Sequence, residues 1–234
     1  MTEYSDLFDT SKLGKLPVTY SMKLDPSATP IVCPPRRVPV VMTEKVKAEL
    51  NRMVSIGVIT PVTEPTQWVS SMVAAAKKNG EVRICIDPIN LNKYLMRPHH
   101  PMKTIEEVMA QMPKATIFST LDAKNGFWQI MLDEESSLLT TFNTPWGRYR
   151  FLRMPYGITT GSEVFQRAME QIFSGYPCSV IVDDILIWGQ NQKDHDEKLE
   201  KVLKRARQVG LTLNPQKCKF RVSEVTYVGH TLTS

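Results

Sequence analysis

At 234 residues, with 42% hydrophobic and 23% charged side chains, the chain is long enough to bury a sizeable core and too apolar for a disordered segment. A formal net charge of +5 is compatible with a polyanionic partner without demanding one. Cys33, Cys85, Cys178 and Cys218 are widely spaced and form no CxxC pair, which argues against a zinc site and for free thiols in a reducing compartment. No apolar run reaches membrane-spanning length and no secretory signal opens the chain, so the expected location is intracellular, cytoplasmic or nuclear, with no membrane partner.

Residues 1–40 read as a proline-rich arm with one edge strand, since Val18, Tyr20, Met22 and Leu24 alternate with Thr19, Ser21 and Lys23. The run Cys33-Pro34-Pro35-Arg36-Arg37-Val38-Pro39 is basic and cannot be helical; it reads as a packed linker or as a nucleic-acid contact. Residues 43–55 read as a helix N-capped by Thr43, with Val46, Leu50, Met53 and Val54 on its apolar stripe and Gly57 closing it. Residues 68–73 form a strand, and 74–87 a hairpin turning at Asn79-Gly80. Lys77 and Lys78 precede that turn, while Arg83, Cys85 and Asp87 share a face behind it. A basic tip suits a triphosphate and equally suits any solvated hairpin.

Thr104-Ile105-Glu106-Glu107 is a capping box opening a short helix to Met112, ahead of Pro113. A strand then leads through Ile117 and Phe118 to Asp122. Residues 136–143 and 147–152 read as an antiparallel pair, and Ser162 caps a helix through Phe173 with Val164, Phe165, Ala168, Met169 and Ile172 in the core. A second long helix spans 193–209. Hairpins dominate and no βαβ rhythm is present, which predicts an α+β fold with a mainly antiparallel sheet.

Between those two helices lies Ser179-Val180-Ile181-Val182-Asp183-Asp184-Ile185-Leu186-Ile187-Trp188, two short β-branched strands meeting at an acidic turn. Two adjacent carboxylates in apolar surroundings repel unless a cation neutralises them, and hard oxygen donors suit Mg²⁺ or Mn²⁺. A solvated Asp-Asp turn is the alternative. Asp122 ends a similar apolar run, and one acid from a strand end with two from a hairpin is a set that two-metal phosphoryl transfer uses.

The segments Leu121-Asp122-Ala123-Lys124-Asn125-Gly126-Phe127-Trp128-Gln129-Ile130, Phe151-Leu152-Arg153-Met154-Pro155-Tyr156-Gly157 and Ile181-Val182-Asp183-Asp184 follow one another in order. Together they resemble the successive motifs of a reverse transcriptase of the gypsy-type LTR retrotransposon kind. The resemblance implies a right-hand polymerase fold, with fingers at 41–97 and 130–160 and a palm at 98–129 and 161–230. Residues 231–234 would end ahead of a thumb. It implies an RNA-directed DNA polymerase, a nucleotidyltransferase that extends a DNA primer on an RNA or DNA template from deoxynucleoside triphosphates with two Mg²⁺ ions. The parent polyprotein would also carry ribonuclease H and integrase.

Carried over by motif, Asp122, Asp183 and Asp184 would hold the two ions, with the Ala123 carbonyl as a further ligand. Phe127 would lie under the sugar and exclude a 2′-hydroxyl; otherwise it is a core aromatic beside Trp128. Lys77, Arg83, Gln129 and Tyr156 fall on other nucleotide-binding positions, Lys217 on the lysine that protonates departing pyrophosphate, and Tyr227, Gly229 and His230 on the hairpin gripping the primer. Three departures stand out: Ile181 in place of tyrosine, Pro88-Ile89 in place of an aromatic and an arginine, and Thr160-Gly161-Ser162 in place of a segment carrying Ala-Pro. Without a thumb the chain is expected to hold primer–template weakly. Two other readings stay open: a non-catalytic nucleic-acid-binding or interaction protein derived from such an element, and a metal-dependent nuclease, which gives Phe127 no role.

Overall fold

The computed structural model describes every residue except Met1, 77–79, Met102, 228–229 and Ser234, and leaves the side chains of Thr2 and Ile105 undescribed. Backbone contacts divide the chain into two discontinuous units. One comprises Met1–Pro17, His99–Gln129 and Ser162–Ser234; the other comprises Val18–Pro98 and Ile130–Gly161.

The first unit is built on a four-stranded antiparallel sheet in the order Lys219–Val222, Ile117–Asp122, Asp184–Gly189, Ser179–Ile181. Its second strand is buried from Phe118 through Asp122, which is why the sequence there is nearly continuous in apolar and small residues. Helix Gln192–Gln208, capped by the Asn191 side chain on the Asp194 N–H, contributes Val202, Leu203 and Ala206 to the core. Helix Gly161–Ile172 contributes Phe165, Ala168 and Met169. A further core cluster gathers Val108, Met112, Phe118, Leu186, Val225, Tyr227 and Leu232, with Ile181 packed against it. Ile181 thus fills an apolar role where its aromatic counterpart in the family would stand.

Residues 2–17 run across this unit as a strap. The Leu213 N–H donates to Leu7 O at 2.8 Å, Lys15 N–H to Gly210 O at 3.0 Å, and Leu16 N–H to Gln129 O at 2.8 Å. Gly14 is required by close approach, because a Cβ there would stand 2.1 Å from Gln129 Oε1.

The second unit is a five-stranded sheet in the order Ile59–Val62, Gly147–Phe151, Phe142–Thr144, Ser70–Ala76, Val82–Asp87, with one parallel pairing between Ser70–Ala76 and Phe142–Thr144. Helix Thr43–Ser55 supplies Val46, Leu50 and Met53 to its core, and Gly57 follows with φ +68°. The α+β class and the dominance of antiparallel pairing are as the sequence predicts, and the Thr104 capping box is formed in full.

Three local expectations are corrected. Thr43 is not the N-cap: the 3₁₀ turn Val40–Met42 runs straight into the helix, so Met42 takes that position and the Thr43 hydroxyl donates to Pro39 O. Residues 136–139 belong to the helix Glu134–Leu139, because the Asp133 side chain caps Ser136 N–H and two glutamates occupy the first turn. The expected turn at Asn79-Gly80 involves residues 77–79, which lie outside the described residues; the described register on either side pairs Ala76 with Val82. The early edge strand shrinks to Thr19–Tyr20, which pairs in parallel with Met131–Leu132. No described helix is long and apolar enough to cross a membrane.

Candidate active site

Asp122 closes the strand Ile117–Asp122 and Asp184 opens the strand Asp184–Gly189, and the register pairs them directly. Directly opposed residues project from the same face of an antiparallel pair, with Cβ atoms about 4.5–5.5 Å apart. Asp183 sits beside them in the two-residue turn that joins Ser179–Ile181 to Asp184–Gly189. The Ala123 N–H donates to Asp183 O at 2.8 Å and so ties the end of the first strand to that turn.

The turn is strained. Val182 has φ +50°, a left-handed conformation that β-branched residues avoid and that hairpins usually give to glycine. Such a residue costs roughly 1–3 kcal/mol and persists only where its surroundings fix it.

Burial, together with the charges of Asp122 and Asp184, raises the Asp183 pKa to about 6. Burial and Asp122 also raise Asp184, and the Lys217 ammonium works against both shifts. Lys217 Nζ lies 3.0 Å from Asp122 Oδ2 with its side chain mostly exposed. Asp183 Oδ1 is buried and has no hydrogen-bond partner among the described residues. Gly126 accommodates it, since a Cβ at that position would stand 2.2 Å from Asp183 Oδ1.

As the side chains stand, no three histidine, cysteine or acidic groups among the described residues converge as a ready ion cage. The donor chemistry nevertheless fits a divalent cation: the carboxylates are hard oxygens, they repel one another, and one buried oxygen lacks a donor. Asp122, Asp183 and Asp184 are the residues able to hold it.

The remaining candidates separate. Phe127 is half-buried in the turn Gly126–Gln129, its ring centroid 5.7 Å from that of Phe165. Gln129 is corrected: fully buried, it donates to Lys124 O at 2.8 Å and Thr212 O at 2.9 Å and accepts from Thr212 N–H at 2.9 Å. Its amide is committed to the backbone and is a brace, not a nucleotide contact. Tyr227 is buried, and its phenol donates to Ser179 O and Asp184 O beneath the acidic turn. His230 is exposed and pairs with Tyr227 across the hairpin. In the second unit, the exposed Arg83 places its guanidinium carbon 5.9 Å from the ring centroid of Tyr156. Lys77 and Gly229 lie outside the described residues.

Two residues near the acids escaped the sequence reading. Gly126 carried a signal, a glycine shortly after Asp122 inside a quoted motif. Gln166 carried none: it is fully buried, but Glu163 and Glu170 stand on the same helix face, so its sequence pattern reads as polar.

The family described as "Reverse transcriptase (RNA-dependent DNA polymerase)" matches residues 75–232. The chain is 32% identical over 99% of its length to the retrovirus-related Pol polyprotein from transposon 412 of Drosophila melanogaster, and 32% identical over 80% to that from transposon gypsy. It spans about a fifth of each polyprotein, 20% and 19% respectively. Among solved structures it resembles the protease–reverse transcriptase of Prototype Foamy Virus, with a TM-score of 0.88 at 21% identity over 100% of this chain and 32% of that one. The foamy viral enzyme in complex with an RNA/DNA hybrid gives a TM-score of 0.87 at 19% identity, over 99% of this chain and 32% of that one.

Proposed function

Because this chain belongs to the reverse transcriptase (RNA-dependent DNA polymerase) family, in its gypsy-type LTR retrotransposon branch, we propose that it extends a DNA primer on an RNA or DNA template from deoxynucleoside triphosphates. The observation that carries this reading is the direct register of Asp184 against Asp122 with Asp183 in the adjoining turn, which gathers acids from two distant motifs at one sheet end.

Magnesium, or manganese in its place, would be held by Asp122, Asp183 and Asp184 with the Ala123 carbonyl, and when bound it neutralises charge developing on phosphoryl oxygens. The protein's own tasks are then few. The strand pairing and the Ala123–Asp183 bond fix the acids, so little reorganisation is left for the reacting state. Lys217 keeps a proton beside Asp122, within the acidic cluster from which pyrophosphate would depart. Phe127, its ring packed against that of Phe165, would lie under the sugar and exclude a 2′-hydroxyl by bulk. Arg83, stacked near Tyr156, offers a guanidinium to the triphosphate. Tyr227 supports the acidic turn from below, and His230, exposed on the same hairpin, would face the primer.

Primer extension on poly-rA/oligo-dT with the purified chain and Mg²⁺ tests this. Template-dependent incorporation that Asp183→Asn abolishes supports it. Binding of primer–template without incorporation favours the non-catalytic reading, and strand cleavage without incorporation favours the nuclease.

A further inference from the structure

The strained turn at Val182 is held from outside the hairpin by one side chain. Gln166, fully buried on the helix Gly161–Ile172, accepts from Val182 N–H with Oε1 at 2.6 Å and donates from Nε2 to Val180 O at 2.9 Å. Its amide therefore grips the backbone on both sides of Ile181, immediately ahead of Asp183. The second hydrogen on Nε2 goes to Glu170 Oε1 at 2.8 Å, and Glu170 Oε2 accepts from His100 Nε2 at 2.7 Å. All of these residues belong to the first unit.

We propose that Gln166 is a positioning residue for Asp183, and that the Glu170–His100 pair sets the direction of its amide. An inverted amide would turn NH₂ toward the Val182 N–H and C=O toward both Val180 O and the Glu170 carboxylate. All three contacts would be repulsive, so Glu170 selects the orientation that holds Val182 left-handed. The chain of bonds runs from the half-exposed His100 to the residue before Asp183, and every polar atom of the Gln166 amide is used. The inference rests on the polymerase reading only for its consequence in catalysis; the clamp itself concerns the shape of the turn and its grip on a divalent ion.

The test measures amide hydrogen exchange at Val182 by NMR and Mn²⁺ binding by electron paramagnetic resonance, on the 234-residue chain. Gln166→Met removes both grips at similar volume. Glu170→Leu removes one of the three contacts that orient the amide and leaves those to Val180 O and Val182 N–H. Glu170→Gln still accepts from Gln166 and donates to a neutral His100, so it is the conservative rescue. Gln166→Met and Glu170→Leu are expected to exchange the Val182 amide about tenfold faster and to weaken Mn²⁺ severalfold, the scale of one lost buried hydrogen bond, with Glu170→Gln matching wild type. Exchange along the strand Val82–Asp87 stays unchanged. Unaltered Val182 exchange in Gln166→Met overturns the clamp. Faster exchange with unaltered Mn²⁺ affinity overturns the positioning role, and a Glu170→Gln variant as impaired as Glu170→Leu overturns the orienting role. If Gln166→Met fails to fold, the two Glu170 variants decide. Mn²⁺ binding that follows this pattern in a chain that extends no primer would sink the polymerase reading and leave the clamp standing.

Discussion

Lys217 sets its ammonium 3.0 Å from Asp122 Oδ2 across a separation of 95 residues in the chain. The contact relieves repulsion among the acids, and in the proposed reaction the same ammonium would serve as the proton donor to the leaving group. Lys217→Met is expected to slow single-nucleotide insertion by roughly a hundredfold or more, the range of a lost general acid, with little change in the KM for dNTP. An unchanged maximal rate under single-turnover conditions would take the proton-donor role away from Lys217.

Asp183→Asn should reduce nucleotide insertion by about a thousandfold or more, since metal-borne charge stabilisation amounts to several kcal/mol. The fold should survive and gain slightly in metal-free stability, because one of three crowded carboxylates is neutralised. A thermal melt in chelator and a primer-extension assay read both outcomes. Retained activity, or an unfolded variant, contradicts the assignment.

The same crowding has a pH signature. Asp183 in the fold has a pKa raised to about 6 from an ordinary 3.8, so between those values the folded protein keeps a proton that the unfolded chain has released. Its contribution to stability is complete below the lower value and is lost as pH rises through the upper one. In chelator, the melting temperature of wild type relative to Asp183→Asn should therefore fall across that window, other groups cancelling in the difference. Stabilisation by added Mg²⁺ should run the other way and grow with pH, because the ion requires the ionised carboxylate. A flat difference would show that Asp183 ionises as an ordinary aspartate.

Phe127→Ala separates two readings of a half-buried ring. As a steric gate, its loss raises ribonucleotide insertion far more than it lowers deoxynucleotide insertion. As a core aromatic, its loss costs about 3–5 kcal/mol and impairs both substrates alike. Parallel rNTP and dNTP kinetics with a melt distinguish them, and the gate is the expected result.

Gln129→Leu should destabilise the protein by about 2–4 kcal/mol, because the backbone groups of Lys124 and Thr212 lose their partners inside the core. A variant with unchanged melting temperature and a raised KM for dNTP would restore Gln129 to the nucleotide pocket.

What the sequence made legible follows from how local each signal is. The acidic hairpin announced itself through β-branched runs on either side of Asp183 and Asp184, and the Thr104 cap through its glutamate three residues on. The pairing of Asp122 with Asp184 is non-local; two-metal chemistry and the resemblance to a family grouped the acids in advance, but neither gave their register. Motif position placed Gln129 and Tyr227 near the site without saying which way their side chains point; both turn inward to satisfy backbone groups. Ser136 and Ser137 looked like strand alternation until Asp133 was seen to cap them into a helix.

The strap of residues 2–17 also imposes an order of events on biosynthesis. Arg207 donates to Asp6 across 201 residues, so the strap leaves the ribosome that far ahead of its partner. At roughly 5–20 residues per second that delay is about 10–40 s, during which Leu7 and Leu16, both buried in the finished protein, have no core to enter. The unit spanning Val18–Pro98 and Ile130–Gly161 is complete in sequence well before then and is free to fold first, whereas the unit bearing the three acids closes only as translation of this stretch ends.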